Sequence, residues 1–417
     1  MSRITNWKED GDMAPTRTGG AQRLYRQDIQ TATPLIAAVL AMVVTVMAHS
    51  NMPTPLYYIY GRDFEVTTGA ITVIYTMYAV GIAIGLVLVN TITARYGQRL
   101  TLVTAALVGV MSNVFFLAAD SIGWLLAARI LTGIACGFVM SVGTTFAVEL
   151  TDASNRQKTA VAATACNVVG MGLGPVLGGI AADYASGPVA VVFTSHLVLL
   201  VVICACLVVL RKRDSSSRVQ SSGWFRPPSA DDFTPVFYGL SLVGLAGVGV
   251  FGLVAALTPA FLDDIGAGAS FTVSGLVIAC IFVGSAVAQF LLNSIRLRSG
   301  ILAGSTCLVV GLILLALVVG VGEMWLYVLA ALVSGVGQGM TLSRAVAAVS
   351  AAAQDASERV SAVSFFYFLV YLLASVPVIL VGVVQRSAGL STAATVFSVL
   401  SALTVLVGTV LATRRPV

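Results

Sequence analysis

Apolar runs of about 20 residues recur twelve times along this chain, and no other feature of it restricts the fold so much. They fall at about 33–58, 68–92, 99–119, 122–147, 160–182, 189–210, 235–262, 270–294, 300–320, 324–348, 361–384 and 391–412. Each is long enough to cross the ~30 Å hydrocarbon core of a bilayer as a helix. The fold class expected is an all-α integral membrane protein with twelve transmembrane helices in two six-helix halves. Composition agrees: 58% of the residues are hydrophobic and 10% are charged, against roughly 45–50% and 25% in soluble domains. The expected division is a tail over 1–32, a first half over 33–210, a linker over 211–232, a second half over 233–413 and a tail over 414–417. The polar start reads as a disordered tail and not as a cleaved signal peptide, because no small-residue cleavage site closes the first apolar run.

Basic residues orient this map. With the N-terminus in the cytoplasm, the tails, the linker and the inner loops hold 19 of the 23 Lys and Arg, while the outer loops hold only Arg62 and Arg386. That asymmetry predicts a multi-pass protein of the cell membrane with both termini cytoplasmic. The same placement makes the net charge of +5 a matter of membrane orientation and not of nucleic-acid binding. All six cysteines lie inside apolar runs, where they read as small buried hydrophobes with neither disulfide nor metal spacing.

The halves repeat. Thr54-Pro55 returns as Thr258-Pro259, Trp124 as Trp325, Asp152-Ala153-Ser154 as Asp355-Ala356-Ser357, and Pro175 as Pro377, at offsets of 204, 201, 203 and 202. Offsets so nearly constant indicate tandem duplication of a six-helix unit.

Four motifs carry chemistry. In the fifth run, Gly170, Gly174 and Gly178 recur every four residues and leave a groove for a neighbouring helix. Pro175 deprives the Met171 carbonyl of its partner there. The whole pattern, G-x-x-x-G-P-x-x-G-G through Gly179, resembles the antiporter signature of the major facilitator superfamily. Between the second and third runs, Arg95, Gly97 and Arg99 resemble that superfamily's G-x-L-A-D-R-x-G-R-R loop, with Asn90 in place of the leading glycine and Ala94 in place of the aspartate. In the family the aspartate helps latch one transport state, and its loss leaves Arg95 and Arg99 to hold lipid phosphate or helix ends. Arg129, four residues before Gly133, resembles the second motif of the same superfamily, and a guanidinium inside a spanning helix is a functional group by default.

The fourth is His49-Ser50-Asn51, which precedes Pro53 and Pro55; the prolines free the His49 and Asn51 carbonyls and predict a locally unwound polar patch. Thr258-Pro259 is expected to break the matching helix of the other half, and paired interruptions point to a transporter's binding site. His49, Asn51 and Arg129 are therefore the candidates for transport and coupling. Asn167, Gln289, Gln338, Tyr78, Tyr367 and Tyr371 are candidates for the cavity wall, and His196 reads as structural. No acidic residue lies near the middle of a run.

The resemblance covers about residues 33–412 and is nearest to the twelve-helix drug:proton antiporter branch. It implies parallel six-helix halves related by an axis along the membrane normal. It also implies export of a small organic molecule by alternating access, with protons as the exchanged ion, the bilayer as the medium and a monomer as the unit. It implies that the fifth helix packs on the eighth across the halves. Uptake of a nutrient and membrane-embedded sensing are the alternatives. No cofactor or metal is expected. With two histidines and none of H-E-x-x-H, G-x-S-x-G, paired intramembrane aspartates or a nucleotide-binding loop, an enzyme is not expected either.

Overall fold

The computed structural model describes residues 18–63, 68–210, 234–266, 270–291, 295–354 and 356–413, and every regular element among them is helical. In chain order these are α1 (Thr18–Asn51), α2 (Tyr57–Asp63), α3 (Thr68–Leu117), α4 (Ile122–Glu149), α5 (Arg156–Tyr184), α6 (Pro188–Val209), α7 (Thr234–Asp264), α8 (Phe271–Leu291), α9 (Leu297–Val321), α10 (Met324–Ala352) and α11 (Ala356–Thr413).

Two helices are too long for one crossing. The 50 residues of α3 would extend about 75 Å if straight, which is twice the hydrocarbon thickness. The chain folds back at Gly97, whose φ of 81° and ψ of 165° suit glycine alone. Gly389, at φ 85° and ψ 172°, divides the 58 residues of α11 in the same way. Eleven apolar spans are present among the described residues, and the 45-residue one, Val73–Leu117, crosses twice. The count is the expected twelve. Helices suit lipid because each satisfies its own backbone polar groups.

Prolines act as expected in one half only. Pro53 and Pro55 end α1 at Asn51, and a turn held by Thr54 N–H to Asn51 O at 3.1 Å and Leu56 N–H to Pro53 O at 3.0 Å leads into α2. Pro259, by contrast, lies inside a continuous α7, which corrects the expectation of a second interruption. One proline removes a single helical hydrogen bond, whereas two prolines in alternate positions remove adjoining ones and the helix gives way. At the N-terminus α1 starts at Thr18, inside the segment expected to be a tail. Ala21 to Thr33 contains neither proline nor glycine, so nothing there stops the helix. Residues 1–17, the linker 211–232 and the tail 414–417 lie outside the described residues.

Each half has its own core, around Met42, Val139 and Phe138 in the first and Leu253, Ile281 and Leu312 in the second. Val198, Leu199, Val201 and Val202 of α6 stand exposed instead, as residues do that face lipid and not water.

Candidate functional site

A cavity lies where the halves meet, walled by α1, α3 and α5 of the first half and α7, α8 and α11 of the second. Asn51, Tyr75, Thr76 and Tyr78 make its polar side; Val248, Phe251, Phe282 and Val378 face them from the second half. Tyr371 closes the wall beside Ser375. Of the sequence candidates, Asn51, Tyr78 and Tyr371 are thus brought together. Asn51 is fixed on two sides, its amide donating to Met171 O and its Oδ1 accepting from the Tyr75 hydroxyl, both at 3.4 Å.

Arg129 lies one side chain behind that wall. It is 0% exposed, and its guanidinium carbon stands 5.1 Å from the ring centre of Tyr57, 5.5 Å from that of Tyr75 and 5.8 Å from that of Tyr78. Its Nη1 donates to the Ser50 carbonyl, which α1 exposes just before its proline break. The neutral Tyr57 hydroxyl also interacts with the guanidinium, but no carboxylate is among the buried polar residues described. An aromatic cage therefore compensates this charge in part, through the negative faces of its rings, where an acid would ordinarily pair with it.

His49 takes a different place from the one expected. It turns away from the cavity into the first half, with Nε2 3.0 Å from Ser112 Oγ and the ring edge-on to Phe116 and Phe193. Ser112 donates to Ala128 O at 2.8 Å. On that network the Nε2 hydrogen points at Ser112, and Nδ1, which has no partner, is the bare nitrogen. His196 stacks on it with ring centres 4.5 Å apart and planes 9° from parallel. Its nitrogens lie 3.1 Å from Asn113 Oδ1 and 3.0 Å from Thr45 O. The sequence holds the two histidines 147 positions apart, and the structure pairs them.

The glycines of α5 serve two partners, which corrects the expectation that the four-residue stripe meets α8. A Cβ added to Gly170, Gly174 or Gly178 would stand 2.5, 2.2 or 2.3 Å from the Val44, Ala48 or Met52 carbonyl, all on α1 or the turn after it. The seam with α8 uses the next face: Gly179 approaches Phe271 O to 2.3 Å, and Gly275 of α8 approaches Pro175 O to 2.3 Å by the same measure. Residues 170, 174 and 178 share one face, while 175 and 179 lie about 100° further round. Beyond this seam, at the end of the bundle away from the chain termini, Asp183 caps α8. Its carboxylate accepts from Ser270 Oγ at 2.8 Å, Phe271 N–H at 2.9 Å and Thr272 N–H at 2.8 Å. The cap joins one half to the other, and the sequence shows Asp183 only as a loop acid.

The remaining candidates lie apart from the cavity wall. Asn167 donates to Ala163 O on its own helix, and Tyr367 packs on Tyr371. Gln338 Oε1 accepts from Ser285, which also accepts from Gln289, so these three tie α8 to α10. Arg95 covers the Tyr96 ring, while Arg99 donates to the Leu207 and Val208 carbonyls and so holds the end of α6. Thr76, Met171, Phe251 and Phe282 line the cavity without any sequence signal, since they resemble any other residue of a spanning helix.

The family model of the Major Facilitator Superfamily matches residues 37–378 of this chain. A 94-residue stretch is 31% identical to YtbD of Bacillus subtilis (strain 168), an uncharacterized MFS-type transporter. That match spans 22% of this chain and 23% of the relative. Among solved structures, a bacterial homolog of the human lysosomal transporter Spinster, in an inward-facing and unoccupied conformation, superimposes with a TM-score of 0.68. The alignment covers 92% of this chain and 98% of that one at 13% identity, a likeness of fold alone.

Proposed function

This chain belongs to the Major Facilitator Superfamily, and from that premise we propose that it exports a small organic molecule by alternating access, in exchange for protons. The observation that carries the reading is the position of the cavity. It lies between two separately packed halves, beside a glycine seam where α5 and α8 approach at the backbone. A seam with so few side chains lets the halves rock, and rocking about a central site is how such repeats alternate access. Export as the direction is supported by the helix-5 motif, Gly170 to Gly179, and by an apolar wall suited to a lipophilic solute. His49 and His196 are the titratable pair proposed to take the exchanged proton. The cell membrane is the proposed location, with both termini in the cytoplasm and a monomer as the working unit.

The test is transport by the purified chain in vesicles of known orientation under an imposed pH gradient. Uptake toward the side of the termini, or flux indifferent to the gradient, would remove export or proton exchange respectively. Membrane insertion with no flux of any compound would remove the transporter reading.

A further inference from the structure

We infer that the solute is a small organic anion, a carboxylate on an apolar or aromatic body, with Arg129 as its counter-charge behind the cavity wall. This rests on the transporter reading of the cavity above. Arg129 is a buried charge with no acid to pair with it. A guanidinium offers five N–H donors, and here Nη1 serves one carbonyl while Nε and Nη2 have no carboxylate to serve. A buried cation left without an acid is costly, and rings at 5.1–5.8 Å offset only part of that cost.

Its position gives the cost a use. Tyr75 and Tyr78 have one face toward Arg129 and also line the cavity, and Asn51 follows the residue whose carbonyl Arg129 holds. The field of the cation therefore reaches whatever occupies the cavity through a single layer of side chains. No carboxylate is among the residues that line the cavity, so nothing there opposes that field. A cationic solute would be repelled, while an anion completes the site. The facing wall, Val248, Phe251, Phe282 and Val378, is apolar and takes the body of the solute rather than its charge.

Matched compounds test this. Naphthalene, biphenyl and indole scaffolds are each presented as carboxylate, primary amide and primary amine to cells making the full chain or an empty vector. The expected result is chain-dependent loss of carboxylates from the cells, faster by about tenfold or more than loss of the matched amides. Arg129→Lys should keep the preference for carboxylates at a reduced rate, and Arg129→Gln should abolish it. The Tm of the purified wild-type chain should rise with the carboxylates alone, because a ligand that binds only the folded state stabilises it. That measurement decides the matter even where Arg129→Gln fails to fold. Faster loss of amides or amines, or a Tm raised by them, overturns the anion and leaves the transporter standing. Loss of no compound, with no shift in Tm, overturns both.

Discussion

In the first half, α3 and α4 cross where Gly81 faces Ile130 O and Gly133 faces Tyr78 O, and an added Cβ at either would stand 2.2 Å from the carbonyl. In the second half, α8 and α10 cross where Gly284 faces Leu332 O at 2.3 Å and Gly335 faces Ile281 O at 2.0 Å by the same measure. These are the same contacts, repeated at offsets of 202 and 203 residues. The chemistry is not repeated. At an offset of 204, His49 and Asn51 correspond to Leu253 and Ala255, and at 202, the offset of its neighbour Ile130, Arg129 corresponds to Ala331. All six positions are buried. Duplication kept the backbone seams, which tolerate no side chain, and let the charge diverge until one half alone carried it. The second half answers with neutral contacts, such as Thr258 on the Tyr327 hydroxyl at 3.0 Å. One half supplies the electrostatics of the cavity and the other supplies its apolar wall.

The largest effects should come where the halves are alike. Gly133→Leu and Gly335→Leu each place a side chain against a carbonyl that cannot yield without separating two helices. Both should cost ~3 kcal/mol or more and remove most folded protein. Yield of monodisperse protein and Tm in detergent are the measurements. A mild result at one position and a severe one at the other would break the equivalence of the seams.

The next pair separates seams within a half from the seam between halves. Gly174→Leu strikes Ala48 O of the same half and should destabilise the fold; Gly275→Leu strikes Pro175 O across the halves. The second variant should fold with a Tm close to wild type and transport at least about tenfold more slowly, because it blocks approach of the halves without entering either core. Normal flux in Gly275→Leu would deny this seam a part in the transport cycle.

How much of this was legible beforehand differs by level. The twelve crossings were, because apolar runs of one bilayer thickness admit little else. The break after Asn51 was too, since Pro53 and Pro55 act locally. The duplication showed in offsets alone. The partners of the α5 glycines did not: spacing tells which residues share a face, never which neighbour meets that face. The cap by Asp183 and the stack of His49 on His196 join residues 87–89 and 147 positions apart, and nothing local marks either. Arg129 was recognisable as a charge in a spanning helix, whereas its lack of an acid needed the packing around it.

A smaller effect is expected at the cap, where the halves meet as donor and acceptor. Asp183→Asn keeps one carbonyl oxygen but sets an NH2 group against the N–H donors of α8. Loss of charge-assisted bonds should cost ~1–2 kcal/mol of the state closed at this end, a shift of about five- to thirty-fold toward the open one. Spin-label distances across this end, between the α5–α6 and α7–α8 turns, report that shift. Unchanged distances would mean the cap adds nothing to closure beyond the glycine seam.

The smallest and most specific effect concerns the two histidines, which the second half lacks. His49 Nδ1 is buried without a partner, and His196 lies against it at 4.5 Å. Two imidazoles so close cannot both hold a charge without strong mutual repulsion, so the stack is a place for one added proton and not two. That proton would sit near Arg129, whose charge cannot be given up, and an anion in the cavity would offset the repulsion between them. Substrate and proton would then interact through Arg129 without touching. His49→Gln retains a donor toward Ser112 and removes the bare ring nitrogen. Its export should lose part of its dependence on the imposed pH, while binding of solute is kept. Flux in vesicles at a series of imposed pH values is the measurement, with His196→Gln beside it. If both variants keep the wild-type pH profile, the stack is packing for α1 against α6, and any exchanged proton is carried elsewhere.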